Sequence, residues 1–303
     1  MIRALAVFAG LLFAGTAAGQ TAGPPTFDYD ASKPLDLKVG APVKLGPGVK
    51  AYLVAFNSEG RQITGEVVEG KGDVWHPGVL YVHWLGDPKT TNHTEFEAEA
   101  VQFADVGVTS LLIDAPWSQK GWFERMGASA DDDIAFTRNT VVDVRRSLDL
   151  LEQLPRVDKD RIGFVGHDFG AMFGILTASV DHRPVAWVFM TPNRSLGAWY
   201  LWQKTVPQRE AYLARLAQFD LPPYAARIQT SGGGVEYQFS SNDEYVTHAD
   251  AQALFDATPS SDPTPGSKDI QWFNAGHALD ENAESDRFVW LESRILEPPS
   301  RRF

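Results

Sequence analysis

One aspartate occupies the centre of a segment whose glycines are typical of a reactive turn. The segment Gly166-His167-Asp168-Phe169-Gly170 follows the apolar residues 162–165 and opens a second apolar stretch. Glycines two positions before and two positions after a central residue favour a sharp strand-to-helix turn, because the strained centre needs neighbours that lack side chains. Such a turn presents its central side chain at the carboxyl edge of the sheet, where α/β proteins bind ligands. Asp168 is therefore a candidate catalytic carboxylate.

An acid and a histidine follow Asp168 in the chain order of nucleophile, acid and histidine. Asp243 comes directly after a predicted strand over residues 235–239, and His277 comes directly after one over residues 270–273. Because the carboxyl ends of parallel strands meet at one edge of the sheet, these positions predict that all three side chains lie together. The sequence therefore predicts an Asp168–Asp243–His277 triad.

The elements that must position these residues alternate between strands and helices. A hairpin over residues 49–56 and 62–68 comes first, and the pattern then becomes a βαβ series, which predicts an α/β fold with a mostly parallel twisted sheet and helices on both faces. Residues 191–230 interrupt the series with helical stretches and many aromatic side chains, which either form a short cap over an apolar pocket or pack against the sheet. Further strands are expected over 78–84, 108–114, 162–166 and 185–190, and helices over 95–104, 131–154, 171–180, 249–257 and 283–296.

The N-terminal residues predict an exported protein. Residues 1–19 combine Arg3, an apolar stretch of about twelve residues and the small residues 17–19, a pattern typical of a cleaved signal peptide and too short to span a bilayer. Residues 20–36 are rich in Gly, Pro, Thr and Ser and are expected to form a flexible lead-in. One domain is expected over residues 37–303, in a secreted or periplasmic protein without membrane partners after cleavage.

Composition excludes several classes of function. The net charge of −12 and the pI of about 5.0 disfavour nucleic-acid binding. The absence of cysteine removes thiolate nucleophiles and cysteine-based metal sites, and the histidines show no spacing typical of metal ligands. The three aspartates at 131–133 are more typical of a helix N-terminus than of a metal site. No phosphate-binding or dinucleotide motif occurs, so we expect a small-molecule substrate and neither cofactor nor metal.

The segment from about residue 50 to the C-terminus resembles the α/β-hydrolase superfamily, most of all its dienelactone hydrolase-like branch. The stretch 272–279 (Trp-Phe-Asn-Ala-Gly-His-Ala-Leu) is similar to the histidine region of that branch, and residues 83–86 (His-Trp-Leu-Gly) resemble its oxyanion-hole segment. The resemblance implies the α/β-hydrolase fold and an oxyanion hole formed by the backbone N–H groups of Phe169 and of Trp84 or Leu85. Trp84 departs from the pattern, since a glycine is usual at that position.

The aspartate at position 168 also departs from that branch, whose nucleophile is Cys or Ser. An aspartate there resembles the epoxide hydrolases and dehalogenases of the same superfamily. Phe169 replaces the tryptophan that usually binds halide in haloalkane dehalogenases. Two cap tyrosines of the epoxide-hydrolase type are expected, if present, among Tyr200, Tyr212 and Tyr224. The resemblance therefore implies the fold and the site, and leaves an ester, lactone, epoxide or carbon–halogen bond as the target.

Three roles for Asp168 remain open at this stage. A carboxylate nucleophile could attack a carbon bearing a leaving group and form an ester, which water would hydrolyse with His277 as base and Asp243 orienting the imidazole. Asp168 could instead be a second acid that orients water for direct hydrolysis. Alternatively, the chain is a catalytically silent binding protein with the α/β-hydrolase fold. His167 is expected to pack or hydrogen-bond beneath the turn.

Overall fold

The computed structural model describes residues 25–87, 91–230, 232–260 and 267–296. The predicted signal peptide, residues 1–19, lies outside the described residues, as do positions 20–24 of the expected lead-in. None of the helices in the described ranges has the length and apolarity needed to cross a membrane.

Strands in the described residues form a single mixed sheet. The strands are β1 (Lys38–Val39), β2 (Val43–Gly46), β3 (Val49–Ser58), β4 (Arg61–Glu69), β5 (His76–Val82), β6 (Thr109–Ile113), β7 (Val157–His167), β8 (Pro184–Met190), β9 (Gly234–Ser240) and β10 (Lys268–Phe273). The order across the sheet is β1-β3-β4-β6-β5-β7-β8-β9-β10, with β2 paired to β3. Strands β5 to β10 pair in parallel, whereas β1 to β4 form an antiparallel extension that joins the parallel part where β4 pairs with β6.

Helices cover both faces of this sheet, as the alternating pattern predicts. The helices are α1 (Glu97–Asp105), α2 (Trp122–Arg125), α3 (Ala130–Gln153), α4 (Phe169–Ala178), α5 (Leu196–Tyr200), α6 (Arg209–Leu216), α7 (Pro222–Ala225), α8 (His248–Ala257) and α9 (Glu281–Ile295). One apolar core lies between the sheet and α3, α4 and α8, and a second lies between the opposite face and α1 and α9. Every residue of β5 and of β8 is buried, in agreement with their largely apolar sequences.

The acidic residues at the start of α3 occupy the first turn of a capped helix. Ser129 is the N-cap, and its hydroxyl accepts a hydrogen bond from the Asp132 N–H at 3.3 Å. Asp131, Asp132 and Asp133 occupy the first turn, where negative charge is favourable. The Asp133 carboxylate is buried and accepts hydrogen bonds from Gly127 N–H and the Tyr212 hydroxyl.

Residues 25–36 pack against the domain, in contrast to the flexible lead-in that their composition predicts. Phe27 and Leu35 are buried in the first apolar core. Arg145 donates to the Phe27 carbonyl at 2.8 Å, and Arg146 donates to the Lys33 carbonyl at 2.8 Å. The composition of this segment does not reveal these contacts, because the segment has few apolar residues. The arginines that bind its carbonyl groups lie on α3, more than 100 residues away in sequence.

We expect Glu236→Gln to stabilise the protein, and to do so more strongly as the pH rises. Burial, together with Asp286 and Asp269, raises the pKa of Glu236 to about 9, above its ordinary value of 4.5. Between these values the native state holds a proton that the unfolded chain releases. Wild-type stability therefore falls with rising pH, by at most about 1.4 kcal/mol per pH unit. Glutamine does not titrate and escapes this loss.

Urea unfolding at about pH 5.5 and about pH 8 measures the difference. The exposed Glu210→Gln on α6 is the matched control, and we expect its effect to be small at both pH values. An equal stabilisation by Glu236→Gln at both pH values would contradict the raised pKa.

Candidate active site

Asp168 lies at a strained turn between β7 and α4. Its backbone has φ 53° and ψ −112°, a conformation that non-glycine residues seldom adopt. A Cβ atom on Gly166 would approach the Gly170 carbonyl oxygen to 2.5 Å, and one on Gly170 would collide with the Val82 carbonyl of β5. Both glycines are therefore required for the close packing of the turn, which presents the Asp168 side chain at the carboxyl edge of the sheet.

The acid and the histidine reach the same place from two neighbouring loops. Asp243 follows β9, and its Oδ1 accepts hydrogen bonds from the N–H groups of Tyr245 at 2.8 Å and Val246 at 3.0 Å. Its Oδ2 lies 2.8 Å from Nδ1 of His277, which follows β10. This contact fixes the Nδ1 side of the ring on the acid and turns Nε2 toward Asp168.

Asp168 and His277 face each other across a short gap. His277 Nε2 lies 3.9 Å from Asp168 Oδ1, an ion-pair distance rather than a hydrogen bond. Neither atom has a hydrogen-bond partner within the described part of the chain. The other carboxylate oxygen, Oδ2, accepts a hydrogen bond from the Leu85 N–H at 3.1 Å. The structure thus brings together Asp168, Asp243, His277 and Leu85 as the sequence predicts.

The two carboxylates dominate the electrostatics of His277. Burial disfavours its charged form, but the proximity of Asp168 and Asp243 outweighs burial and raises the pKa of His277 to about 9. Burial likewise opposes ionisation of Asp243, and the contact with His277 overcomes it, so that the pKa of Asp243 is lowered. At neutral pH the free site therefore holds an imidazolium between two carboxylates.

Among the described residues of the loop after β5, the backbone N–H of Leu85 contacts Asp168 and that of Trp84 does not. The Trp84 N–H donates to Glu95 Oε2 at 2.8 Å, so the prediction that it points into the site is corrected. Leu85 N–H is the donor that reaches Asp168. His83 supports the loop: its Nε2 accepts from the Ala115 N–H at 2.9 Å, and its Nδ1 lies 2.8 Å from the Trp84 carbonyl.

Phe169 is the first residue of α4 and directly follows the turn at Asp168. This is the position at which the sequence predicts a second backbone N–H donor to the oxyanion. Its side chain contributes nothing polar and lies among Trp117, Trp122 and Phe173 in the core. The position that usually carries a halide-binding tryptophan in haloalkane dehalogenases is therefore a core position here, fully buried away from the ligand space.

A cavity of about 880 Å³ opens beside Asp168 and His277. Aromatic side chains form part of its wall, and the exposed charged residues Asp87, Lys120 and Glu124 also line it. Rings pack around the base: the ring centroid of Tyr245 lies 5.2 Å from that of His277, and the ring centroid of Trp199 lies 5.9 Å from it. The aromatic side chains that line the cavity are Trp84, Phe123, Trp199, Trp202 and Tyr245.

The three tyrosines singled out in the sequence do not line this cavity. The hydroxyl of Tyr200 lies 2.8 Å from Thr137 Oγ1, that of Tyr212 donates to Asp133, and that of Tyr224 donates to the Gln218 carbonyl. The resemblance leaves open whether a cap pair lies among them, and these contacts hold all three hydroxyls away from the cavity. Of the residues between β8 and β9, Trp199, Trp202 and Gln203 reach the cavity.

Glu95 is a residue at the site that sequence reasoning missed. It lies in a 3₁₀ turn (His93–Phe96) after β5, and its two carboxylate oxygens contact Trp84 N–H and the ring of His167. No motif marks this glutamate, because one of its partners is a backbone group and the other is distant in sequence. Among the described residues, no group of three or more His, Asp or Glu could hold a metal ion.

Several solved structures share this architecture at low sequence identity. An acetyl xylan esterase from a Paenibacillus species is 19% identical, with a TM-score of 0.68 over 86% of this chain and 90% of the other. An acetyl xylan esterase from a Thermoanaerobacterium species is 15% identical, with a TM-score of 0.68 over 88% and 90%. A 2,6-dihydroxy-pseudo-oxynicotine hydrolase is 16% identical, with a TM-score of 0.61 over 80% and 67%.

The chain has the α/β-hydrolase fold. No protein-family model matches the chain, and no curated protein sequence does. At these identities the likeness establishes the fold that the sequence predicts. The chemistry of the site must be argued from its own residues.

We expect the imidazole of His277 to titrate with a pKa near 9, and Asp168→Asn to lower that pKa. The variant removes a negative charge 3.9 Å from Nε2 while keeping the shape of the side chain. Asp243→Asn should also lower it, since the other carboxylate is lost. Histidine NMR titration measures both shifts. The exposed His182, which precedes β8, is the internal control. An unchanged His277 pKa in Asp168→Asn would contradict the observed proximity.

Proposed function

We propose that this protein is a hydrolase of small, fairly apolar molecules and that Asp168 is its covalent nucleophile. The target bond joins a saturated carbon to a leaving group, as in an epoxide or a carbon–halogen bond. The observation that carries the proposal is the position of Asp168 Oδ2 on the Leu85 N–H, with Oδ1 directed toward His277. One oxygen is thus polarised by an oxyanion donor while the other is available for attack.

In the first step, Asp168 Oδ1 attacks the substrate carbon. A new O–C bond forms and the bond to the leaving group breaks. A halide departs with the electron pair, whereas an epoxide oxygen keeps the pair, remains attached to the substrate and takes a proton from water. An ionised carboxylate needs no base for this attack. A gap of 3.9 Å between Oδ1 and the imidazole, which would hinder a serine nucleophile, is therefore compatible with the step. The Asp168 side chain becomes an alkyl ester whose carbonyl oxygen is Oδ2.

In the second step, water attacks the ester carbonyl carbon of Asp168. His277 Nε2 accepts the proton of that water, and Asp243 stabilises the imidazolium through Nδ1. The Leu85 N–H stabilises the negative charge that develops on Oδ2. His277 returns its proton to the departing alcohol, whose oxygen came from Asp168. The water oxygen remains in the regenerated carboxylate, and the second proton of the water is released to solvent.

The pKa of the proposed base, His277, agrees with this sequence of steps. In the free enzyme Asp168 and Asp243 raise the pKa of His277 to about 9, so the ring is charged at neutral pH. Alkylation neutralises Asp168 and removes one of these two charges. The pKa of His277 then falls toward neutrality, and the ring becomes a base when the ester needs hydrolysis.

The cavity agrees with a small apolar substrate. Five aromatic side chains line it, and Asp168 is only 2% exposed. Solvent screens so deeply buried a carboxylate only weakly, which strengthens its interactions with neighbouring charged groups. Carboxylic esters are poorer targets for Asp168, because attack on them gives an anhydride that tends to collapse back to the starting ester. The acetyl esters named for two of the structural neighbours are therefore included in the test as competing substrates.

We expect a single turnover in ¹⁸O-water to yield product without ¹⁸O, since its new oxygen comes from Asp168. The label should appear in the peptide that contains Asp168. With a panel of epoxides, haloalkanes and esters, His277→Ala should accumulate an adduct on Asp168, because ester formation does not require the base and hydrolysis does. Intact-protein and peptide mass spectrometry measure both outcomes, and Asp168→Asn is the control that should form no adduct.

Two results would contradict this mechanism. Labelled product in the first turnover, with no adduct on His277→Ala, would favour direct hydrolysis with Asp168 as a water-orienting acid. A wild-type protein that turns over none of the panel would favour the silent binding protein instead.

We further propose that the chain is exported and that its first 19 residues are removed. The pattern of Arg3, an apolar stretch and small residues supports this. N-terminal sequencing of the protein recovered from the periplasm or medium of a bacterial host should give a chain that starts near Gln20. A cytoplasmic protein that retains Met1 would contradict the proposal.

A further inference from the structure

A glutamate–histidine pair lies directly beneath the candidate active site. Glu95 Oε1 lies 2.5 Å from His167 Nδ1, and Glu95 Oε2 accepts the Trp84 N–H at 2.8 Å. On the opposite edge of the ring, His167 Nε2 lies 3.2 Å from the carbonyl oxygen of His277. The pair therefore connects three segments that meet at the site: the loop after β5, the turn at Asp168 and the loop after β10.

The chemistry of these contacts fixes the protons of the pair. A carbonyl oxygen only accepts hydrogen bonds, so Nε2 of His167 carries a proton and donates it to His277. On the other edge of the ring, Nδ1 is hydrogen-bonded to Glu95 Oε1. The His167 side chain is 2% exposed, so water cannot replace a lost partner, and each contact is costly to remove.

Ring packing adds a second connection between the loop and the pair. The indole of Trp84 stacks on the imidazole of His167 with ring centroids 5.0 Å apart and an interplanar angle of 2°. The Trp84 backbone N–H is bound to Glu95, so the pair contacts both the backbone and the indole ring of Trp84. The next N–H along the chain is that of Leu85, the donor to Asp168.

We propose that Glu95 and His167 are positioning residues, which hold the Leu85 N–H against Asp168 and the backbone of His277 in place. They touch neither substrate nor the reacting atoms. Their role is to keep the oxyanion donor, the nucleophile and the base in one arrangement, because displacements of about 1 Å in such an arrangement cost about 100-fold in rate. The kinetic readout of this proposal rests on the covalent mechanism proposed above, and the structural readout does not.

The test compares three variants at the pair with one control. His167→Phe keeps an aromatic ring for Trp84 to stack on and loses both hydrogen bonds, and Glu95→Ala loses both carboxylate contacts. Glu95→Gln is the conservative rescue, since its amide oxygen can accept from Trp84 N–H while its NH₂ group donates to a neutral His167. His76→Phe is the matched control, because His76 is also a buried histidine with both ring nitrogens hydrogen-bonded, at the opposite end of β5.

We expect His167→Phe and Glu95→Ala to slow ester formation and ester hydrolysis by about 100-fold per folded molecule, with a smaller effect on KM. Glu95→Gln should remain close to the wild type. His76→Phe should lower the unfolding midpoint without changing either rate constant. A second readout is the exchange of the His277 Nδ1–H proton with water, followed by NMR, which should be faster in His167→Phe and unchanged in His76→Phe.

Wild-type rate constants in His167→Phe, or a Glu95→Gln variant as impaired as Glu95→Ala, would overturn the positioning role. A wild-type protein that forms no adduct would overturn the covalent mechanism instead. In that case the exchange of the His277 proton still decides whether the pair holds the histidine in place, so the two failures are distinguishable.

Discussion

The arrangement of this site depends on one nearly buried carboxylate that is held in a strained turn. Asp168 meets a backbone N–H through one oxygen and an imidazole across a short gap through the other. Both neighbours are needed, because a buried anion is costly unless its charge is balanced. The loops after β5, β7, β9 and β10 are consequently interdependent, and a shift in any of them would leave a charged group without a partner.

The sequence predicts most of the fold and the proximity of Asp168, Asp243 and His277, because both follow from short-range patterns. Alternating strands and helices define the parallel sheet, and Asp168, Asp243 and His277 each come directly after a strand of that sheet. Parallel strands align their carboxyl ends, so sequence position translates into proximity. The glycines at 166 and 170 are visible for the same reason, since the tight turn leaves no room for a Cβ atom.

The support of the triad could not be predicted, because it consists of contacts without a sequence pattern. Glu95 binds a backbone N–H and a histidine 72 residues away. The direction of the Trp84 N–H depends on that glutamate, which is why its assignment to the oxyanion hole was wrong. The sequence leaves the roles of Tyr200, Tyr212 and Tyr224 open for a related reason. Aromatic residues in a helical segment either pack against the domain or face a ligand, and only tertiary contacts distinguish the two arrangements.

Trp84 shows how the loop after β5 and the carboxylate fit together. Its indole covers His167 and contributes to the cavity wall, and the contact with Asp168 is made by the N–H of the next residue, Leu85. A serine nucleophile would have to transfer its proton to the histidine, whereas the carboxylate of the proposed mechanism must only be polarised and shielded from water. A single N–H contact, a bulky indole and a separated imidazole satisfy these simpler demands, so under that mechanism Trp84 and Asp168 are consistent with one another.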